Sequence, residues 1–531
     1  MRAPFVTDRR DLLRLATAAA ALAWLPRGAY AQARWTHTPF ALGVASGAPA
    51  ADSIVLWTRL APERGGLPNG GRDPLPVRWE LAEDEAFTHI VRDGETLALP
   101  ELGHSVHVEA GGLQPNRSWY YRFHSGDATS PTGRTRTLPA ADGRADRLRV
   151  AYASCQRWEH GRYAAWRHMR EDAPDLVMFL GDYIYEYPNI AAAIRSFPTI
   201  GWVHTLQEYR DRYALHRSDP DLQAMHAACP WLVTWDDHEV QNDYAGVHAG
   251  DPRPVGMNAV ADFPARRAAA YQAFYEHMPV RASEYARAIA SAASTPELRV
   301  YTRYRWGRLA DLLLLDTRQY RDAQACPPKD RPGGAIDPAT CAALSDPART
   351  LLGSAQEQWL DATLAHAAGT WTVLGQQSLF GRRDFLAGPG QLVSSDGWDG
   401  YPAARRRLTA TLQRRQVANP VLLGGNEHEN WVGHVLDDYA RPDSARVGVE
   451  FCGTSITSHP GSADRLPARL AENPHFVFAD AAHRGYGLVD FSPRRVATTL
   501  RGLDDAQRPD AAVSTLARFT VEAGRPVLER A

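Results

Sequence analysis

The chain has 531 residues and a net charge of −2, with 44% hydrophobic and 23% charged residues. That is the make-up of a soluble globular protein, and its length calls for two domains rather than one modest core. Lys329 is the only lysine and no basic block stands out among the arginines, so no nucleic-acid surface is expected; the absence of low-complexity tracts and solenoid repeats excludes repeat architectures.

The first element is "TDRRDLLRLATAAAALAWLPRGAYAQA". Paired arginines (Arg9, Arg10) precede an apolar run and a small-x-small pattern, Ala29-Tyr30-Ala31. This predicts a twin-arginine signal over residues 1–31, removed on export to the periplasm or beyond, with the export machinery as partner. An amphipathic N-terminal helix is the competing reading. A membrane span is not expected, because the apolar run falls short of the ~20 residues a bilayer needs.

Residues 36–140 read as all-β. "DSIVLWTRL", "LPVRWELA", "HSVHVEAGGL" and "SWYYRFHSG" are β-branched or aromatic and bounded by turn residues, the pattern of a small immunoglobulin- or fibronectin-like sandwich. "GRTRTLPAADGRADR" then reads as a linker. From residue 148 the pattern changes to short apolar runs, several separated by helical stretches: "LRVAYASC", "DLVMFLGD", "PWLVTWDDHE", "ADLLLLDTRQ", "TWTVLGQQ" and "NPVLLGGNEH". Buried strands alternating with helices predict an α/β sandwich over 148–500, with ligands at the carboxyl ends of strands, and residues 501–531 as a C-terminal extension. "ARRAAAYQAFYEHM" is expected to be helical, and Ser354 with Glu357 predicts a capping box ahead of "QWLDATLAHA". Cys326 and Cys341 flank a Pro/Gly-rich loop that a disulfide would close in an oxidising compartment, while Cys229 and Cys452 read as buried small hydrophobes.

Four strand ends carry metal-capable side chains. They present Cys155; Asp182 and Tyr185; Asp236, Asp237, His238, Asn242 and Asp243; and Asn426, His428 and His434. Thiolate and imidazole suit borderline transition metals, phenolate and carboxylate suit a hard trivalent ion, and carboxylate with amide oxygen suits Ca²⁺ or Mg²⁺. The mixture predicts at least two metals of different character, with Asp182 able to bridge them. Each residue alone has a plainer role, as turn residue, core aromatic or buried thiol; four together in one α/β unit favour a site. Cations held there lower the pKa of bound water toward ~7 and so supply hydroxide at neutral pH; on a phosphate ester they would also offset phosphate charge while hydroxide attacks phosphorus in line. His238 is the expected general acid. A phosphoserine route through Ser154 is disfavoured, because Ser154 alternates with Cys155 along its strand.

"ASCQ", "GDYIYE", "WDDHEVQND" and "GGNEHENW" resemble, in order, the motifs of the PhoD-type alkaline phosphatases, and "LGVASGAPAADSIVLWTRL" and "SPTGRTRTLP" resemble that family's N-terminal region. The resemblance covers essentially the whole chain. It implies the calcineurin-like, purple-acid-phosphatase-like metallophosphoesterase fold, Fe³⁺ with Ca²⁺, and hydrolysis of phosphomonoesters and phosphodiesters after twin-arginine export. Carried over, it implies Asp182 as the bridge, with Cys155, Tyr185 and His428 on iron and Asp237 on the second metal. His238 would then serve phosphate or leaving group, Asn242 phosphate or Ca²⁺, and Arg157 phosphate charge. Where the family reads Gly-Asp-x-His, this chain has Gly425-Asn426-Glu427-His428. Asn426 as a ligand loses a charge, which predicts weaker calcium or a site rebuilt through Glu427 or Glu429. Residues 186–220 and 317–350 are the expected pocket walls, with Tyr187, Phe197 and Trp202 facing an organic leaving group. A secreted phosphodiesterase or phospholipase D of the same fold is the nearest alternative, and a non-enzymatic metal-stabilised binding protein the more distant one. The chain is expected to act as a monomer.

Overall fold

The computed structural model describes residues 34–531 apart from 189–192, 196–200, 253–261, 284–297, 442, 460 and 462. The expected twin-arginine signal and Phe197 lie outside the described residues.

Period-two alternation in short apolar runs builds the centre. Strands Leu148–Ala153, Leu176–Leu180 and Trp231–Thr234 run parallel in a ten-stranded sheet. Strands Ala310–Leu314, Trp371–Gly375, Pro420–Gly424 and Arg446–Cys452 run parallel in a seven-stranded sheet. Val150, Tyr152, Met178 and Leu180 point to the same core as Leu312, Leu314, Val373, Leu423 and Phe451, so the two sheets pack face to face. The intervening residues Ala151, Val177, Phe179 and Val233 face the other way, under helices Ala164–Glu171, Pro220–Ala228 and Phe263–His277. On the far side Leu313, Leu374 and Leu422 meet helices Ser354–Leu364 and Pro402–Arg414. Truncating a fully buried side chain such as Phe179 should cost roughly 3–5 kcal/mol. Among the described residues no helix is long and apolar enough to cross a membrane.

The N-terminal region is all-β, yet its sheet is shared. Strands Val44–Gly47, Ser53–Arg59 and Ser105–Gly111 enclose a core with a five-stranded sheet, through Val44, Ile54, Leu56, Val77, Val108, Trp119 and Phe123. The same three strands continue the ten-stranded sheet, joined through Gly47 opposite Trp231. At the other end, the boundary drawn at residue 500 falls inside strand Arg495–Leu503. Strands Val513–Glu522 and Arg525–Arg530 complete that edge, and Ala517, Phe519 and Val521 alternate into the inter-sheet core. Residues 501–531 are therefore part of the sheet rather than an appendage.

The capping box at Ser354 does not form. Gly353 is the N-cap, with φ 73°, and Ser354 is already helical and exposed. Thr350 takes over the junction: it donates to Glu357 Oε1 at 2.6 Å and accepts the Gly353 N–H at 2.9 Å. A complete box occurs instead at Thr205 and Glu208, opening helix Leu206–Arg217. The Cys326–Cys341 disulfide is present, and Cys229 and Cys452 are buried free thiols.

Candidate active site

The carboxyl ends of the parallel strands from both sheets meet at one place, and their backbone is unusually shaped there. Cys155, Asp182, Asp243, Asn426 and His428 all adopt left-handed conformations, with φ between 56° and 65°. Each such non-glycine residue costs about 1–3 kcal/mol and persists only where surrounding bonds hold it. Here the Cys155 N–H donates to Gly181 O at 3.1 Å and the Gln156 N–H to Asp182 O at 3.0 Å. The buried Glu239 carboxylate accepts the backbone N–H groups of Asp182 (3.1 Å), Tyr183 (2.6 Å) and Asp236 (2.8 Å), binding two strand ends together. Gly181, at φ 100°, permits that approach: a β-carbon there would sit 2.5 Å from Asp236 Cβ.

Asp182 is the hub of the first cluster. Its Oδ2 accepts from the Tyr185 hydroxyl at 3.0 Å and the Cys155 thiol at 3.4 Å. The Tyr185 oxygen also lies 3.3 Å from His428 Nε2 and 2.7 Å from Ser458 Oγ. His428 Nδ1 donates to the His459 carbonyl at 2.7 Å, which fixes the tautomer and turns the Nε2 lone pair toward the cluster. Asp182 Oδ1 is buried without a hydrogen-bond partner among the described residues. Two further groups are chained to this one. Donor atoms of Asp182, Asp237 and His238 lie within 4.8 Å of one another, as do those of Asp237, Asp243 and Asp396 and those of Cys155, Asp182 and His428. Asp182 and Asp237 are thus each shared by two groups. A buried acceptor with no donor, within a thiol, phenol, imidazole and carboxylate set, fits bound cations.

The electrostatics agree with that chemistry. Burial pushes Asp182 up to about 7, and burial, with Asp396 and Asp237 close by, pushes Asp243 up to about 8. Burial also lifts the Cys155 thiol and the Tyr185 phenol well above their ordinary values and lowers His428 to about 4. Burial would raise Asp237, but Arg318 and His238 outweigh it and hold it below the usual carboxylate range. His238 goes the other way: burial opposes its charge, yet Asp182, Asp237 and Glu186 hold it well above its ordinary value. Its Nδ1 donates to Glu186 Oε2 at 2.8 Å, and Glu186 Oε1 accepts the Asn242 N–H at 2.6 Å.

Over these groups lies a cavity of about 290 Å³, lined among others by Arg157, Tyr187, Asn242, Asn426 and His459. The Arg157 guanidinium sits 3.9 Å from the centre of the Tyr185 ring and 4.4 Å from that of Tyr187, which stacks on Trp202 at 5.3 Å. Arg157 Nη1 donates to Glu159 Oε1 at 2.9 Å. All nine expected site residues are thus gathered in the clusters or the cavity wall.

Other candidates are engaged elsewhere. Glu427 and Glu429 both pair with Arg383, and Glu429 also accepts from Trp431 Nε1 at 2.9 Å; neither belongs to the three donor groups found among the described residues. His434 lies along strand Asn430–Leu436, accepting the Leu528 N–H at 3.3 Å. Tyr183 directs its hydroxyl to His226 Nε2, 2.9 Å away. Ser154 turns its hydroxyl to the Asn426 N–H at 3.4 Å. Within 317–350, Arg318 and Arg321 brace Asp396 at 2.8 and 2.6 Å rather than forming an organic wall. Glu186, Glu239, Asp396, Ser458 and His459 were not singled out by the sequence. Glu186, inside "GDYIYE", and Glu239, inside "WDDHEVQND", stood where a motif could have flagged them.

The comparisons with known proteins converge. The family model for the PhoD-like phosphatase matches residues 150–500, and that for the PhoD-like phosphatase N-terminal domain matches residues 25–139. The chain is 44% identical over 500 residues to alkaline phosphatase D of Bacillus subtilis (strain 168), covering 91% of this chain and 81% of that protein. A solved structure of PhoD superposes with a TM-score of 0.85 at 42% identity, covering 94% of this chain and 93% of that one. A bent, donor-rich junction of strand ends, in a chain matched along nearly its whole length, has one family to answer to: the chain belongs to the PhoD-like phosphatases and is a homologue of alkaline phosphatase D, a phosphoric ester hydrolase.

Proposed function

We propose that the chain hydrolyses phosphomonoesters, and phosphodiesters with them, in the cavity over Asp182, using Fe³⁺ and Ca²⁺. The observation that carries this is the linkage of three donor groups through Asp182 and Asp237, with Asp182 Oδ1 buried and unpartnered. Cys155, Tyr185, Asp182 and His428 would hold Fe³⁺, whose hardness suits the phenolate and carboxylate. Asp182, Asp237, Asp243 and Asp396, with the amide oxygen of Asn426, would hold Ca²⁺. When bound, these cations supply Lewis acidity, which offsets phosphate charge and polarises the attacking water.

The remaining work falls to the chain's own side chains. Arg157, stacked between Tyr185 and Tyr187 and tied to Glu159, presents a fixed guanidinium to phosphate oxygens. Asn242, its backbone pinned by Glu186, presents an amide to the same group. His238 donates a proton to the departing alkoxide; Glu186 fixes its ring through Nδ1 and leaves Nε2 for the transfer. The face-to-face sheets with outer helices support a metallophosphoesterase-type sandwich following an N-terminal β-sandwich region. Twin-arginine export to the periplasm or the medium and monomeric action are part of the proposal. A larger diester is the second reading, favoured by the Tyr187–Trp202 stack beside the cavity.

Asp182→Asn is expected to lower kcat on p-nitrophenyl phosphate by about 10³-fold, roughly 4 kcal/mol of transition-state stabilisation, with the protein still folded. Retained activity would remove Asp182 as the bridge. Metal analysis of exported protein should find iron and calcium, and rates on p-nitrophenyl against bis-p-nitrophenyl phosphate decide between the two readings.

A further inference from the structure

The acidic trio Asp237, Asp243 and Asp396 is assembled differently from the other donor groups. Asp237 and Asp243 follow strand Trp231–Thr234 and are tied together by the Asp243 N–H, which donates to Asp237 Oδ2 at 2.7 Å. Asp396 arrives from a separate two-residue ladder, in which Ala335 opposes Ser394 and Ile336 opposes Val393. The Ser395 N–H extends that ladder to Gly334 O at 2.8 Å, and the Gly334 N–H donates to Ser395 Oγ at 3.0 Å. So short a ladder has little stability of its own. Its strand Ala335–Ile336 lies in the loop that the Cys326–Cys341 disulfide closes, while Val393–Ser394, which leads to Asp396, lies outside it; the small core around the ladder, Ala325, Ile336, Leu344 and Val393, contains Cys341.

Contacts on both sides of the bond reach the trio. Just ahead of Cys326, Gln324 Nε2 donates to Asp396 Oδ1 at 2.9 Å and to Asp243 O at 2.7 Å. Inside the loop, a β-carbon on Gly333 would lie 2.8 Å from Asp243 Oδ2 and 3.4 Å from Asp396 Cβ, so this glycine's backbone is the wall against which the Asp243 carboxylate and the Asp396 side-chain stem rest. Arg318, Arg321 and Gln324 together use three of the roughly four acceptor positions of Asp396, leaving capacity for a cation. Through Asp237 the trio joins the group containing Asp182, whose Oδ1 is the buried, unpartnered acceptor.

We propose that the Cys326–Cys341 bond is part of the cation machinery: closed, it holds Gly333 and the ladder so that Asp243 and Asp396 complete a position for a hard divalent cation, and opened, the chain loses that position while keeping those built on strand ends. This rests on the cation reading given above. With the bond open, a Pro/Gly-rich loop regains its freedom, and mutual repulsion drives the two carboxylates apart unless the ladder restrains them. Cys326 is exposed and Cys341 buried, so a dithiol attacks at the outer side. The dithiol gives up two electrons and two protons, closing to a cyclic disulfide, and the cysteines become two thiols. A chain in a reducing compartment then holds one cation fewer than the same chain in an oxidising one.

The test is calorimetric titration of calcium chloride into chelator-stripped full-length chain, with thermal melts alongside. Four forms are compared: oxidised, dithiol-treated, Cys326→Ser/Cys341→Ser, and Gly333→Ala with its bond intact. The last three are expected to lose one calcium position or weaken it at least ~10-fold, with the remaining positions unchanged. Equal stoichiometry and affinity in all four overturns the proposal, as does loss of every position together in variants that still melt cooperatively. If the serine variant does not fold, Gly333→Ala decides alone. No calcium uptake by the oxidised chain overturns the cation reading itself, a result distinct from uptake that ignores the bond.

Discussion

Removing the cations and raising the pH should destabilise this chain, and the structure gives both the sign and the size. Burial pushes Asp182 and Glu239 up to about 7 and Asp243 up to about 8, whereas in the unfolded chain these carboxyls return to about 4. Between those values the folded chain binds more protons than the unfolded one, so stability falls as pH rises. His238 acts with the same sign: against the pull of burial, Asp182, Asp237 and Glu186 keep it protonated above the pH at which the unfolded imidazole lets go. Asp237 and Asp396 are held below the usual range, so they are ionised in both states from pH 6 to 9 and add no slope there. One carboxyl displaced by about 3 units costs roughly 4 kcal/mol once ionised. The displacements are mutual, so about 4 kcal/mol stands for the group rather than for each member. In a chain of this length that lowers Tm by on the order of 5 °C. Saturating calcium should flatten or reverse the fall, since cations bind the deprotonated donors. Scanning calorimetry at pH 6, 7.5 and 9, with chelator and with calcium, reads this directly. A chelator-treated Tm that stays level or climbs toward pH 9 refutes the reasoning.

Tyr185→Phe should abolish any visible-region phenolate-to-iron absorption in the loaded enzyme, while Tyr183→Phe, which loses only a bond to His226, should leave the band in place; absorption spectra of the two variants check it. Glu239→Gln keeps one acceptor oxygen and turns an amide donor on a backbone N–H, so chemical denaturation should show a loss of about 2 kcal/mol. Thr350→Ala should lower stability by roughly 1 kcal/mol in the same assay and Ser354→Ala by almost nothing, because Thr350 carries the helix junction.

The strand ends were legible because a parallel strand covered on both faces must be a continuous apolar run, and its end is where polar residues return. Cys155, Asp182, Asp237 and His428 all follow such runs within a few residues. What the linear pattern does not carry is pairing between distant segments. Asp396 reaches the site on a ladder formed with residues some sixty positions earlier, and Ser458 meets Tyr185 across an even longer separation. The shared sheet of the N-terminal region is the same kind of event, depending on Gly47 meeting Trp231. Local signals failed in a second way at Ser354, where the spacing for a capping box is present but the chain enters the helix through Gly353 in a positive-φ conformation. Propensity for a cap is a local quantity, and the path of the incoming chain is not.

Asn426, where the resemblance leads one to expect an aspartate, is the place where sequence and structure answer each other most closely. Glu427 and Glu429, near it in sequence, carry carboxylates that could replace that charge. Arg383 pairs with both, and neither joins a donor group among the described residues. In the proposed reading, the negative charge for a hard cation comes instead from Asp237, Asp243 and Asp396, set against Arg318 and Arg321. Two arginines among these carboxylates keep the group from being strongly anionic before any cation arrives, and like-charge repulsion alone would otherwise open the turn that joins Asp237 to Asp243. The arginines also set a competition. A cation must displace or share the carboxylate oxygens they already bond, so affinity at this end of the site depends on how firmly Asp243 and Asp396 are held in place. On the proposal made above, that dependence turns a glycine wall and a loop closed by a disulfide into determinants of cation binding.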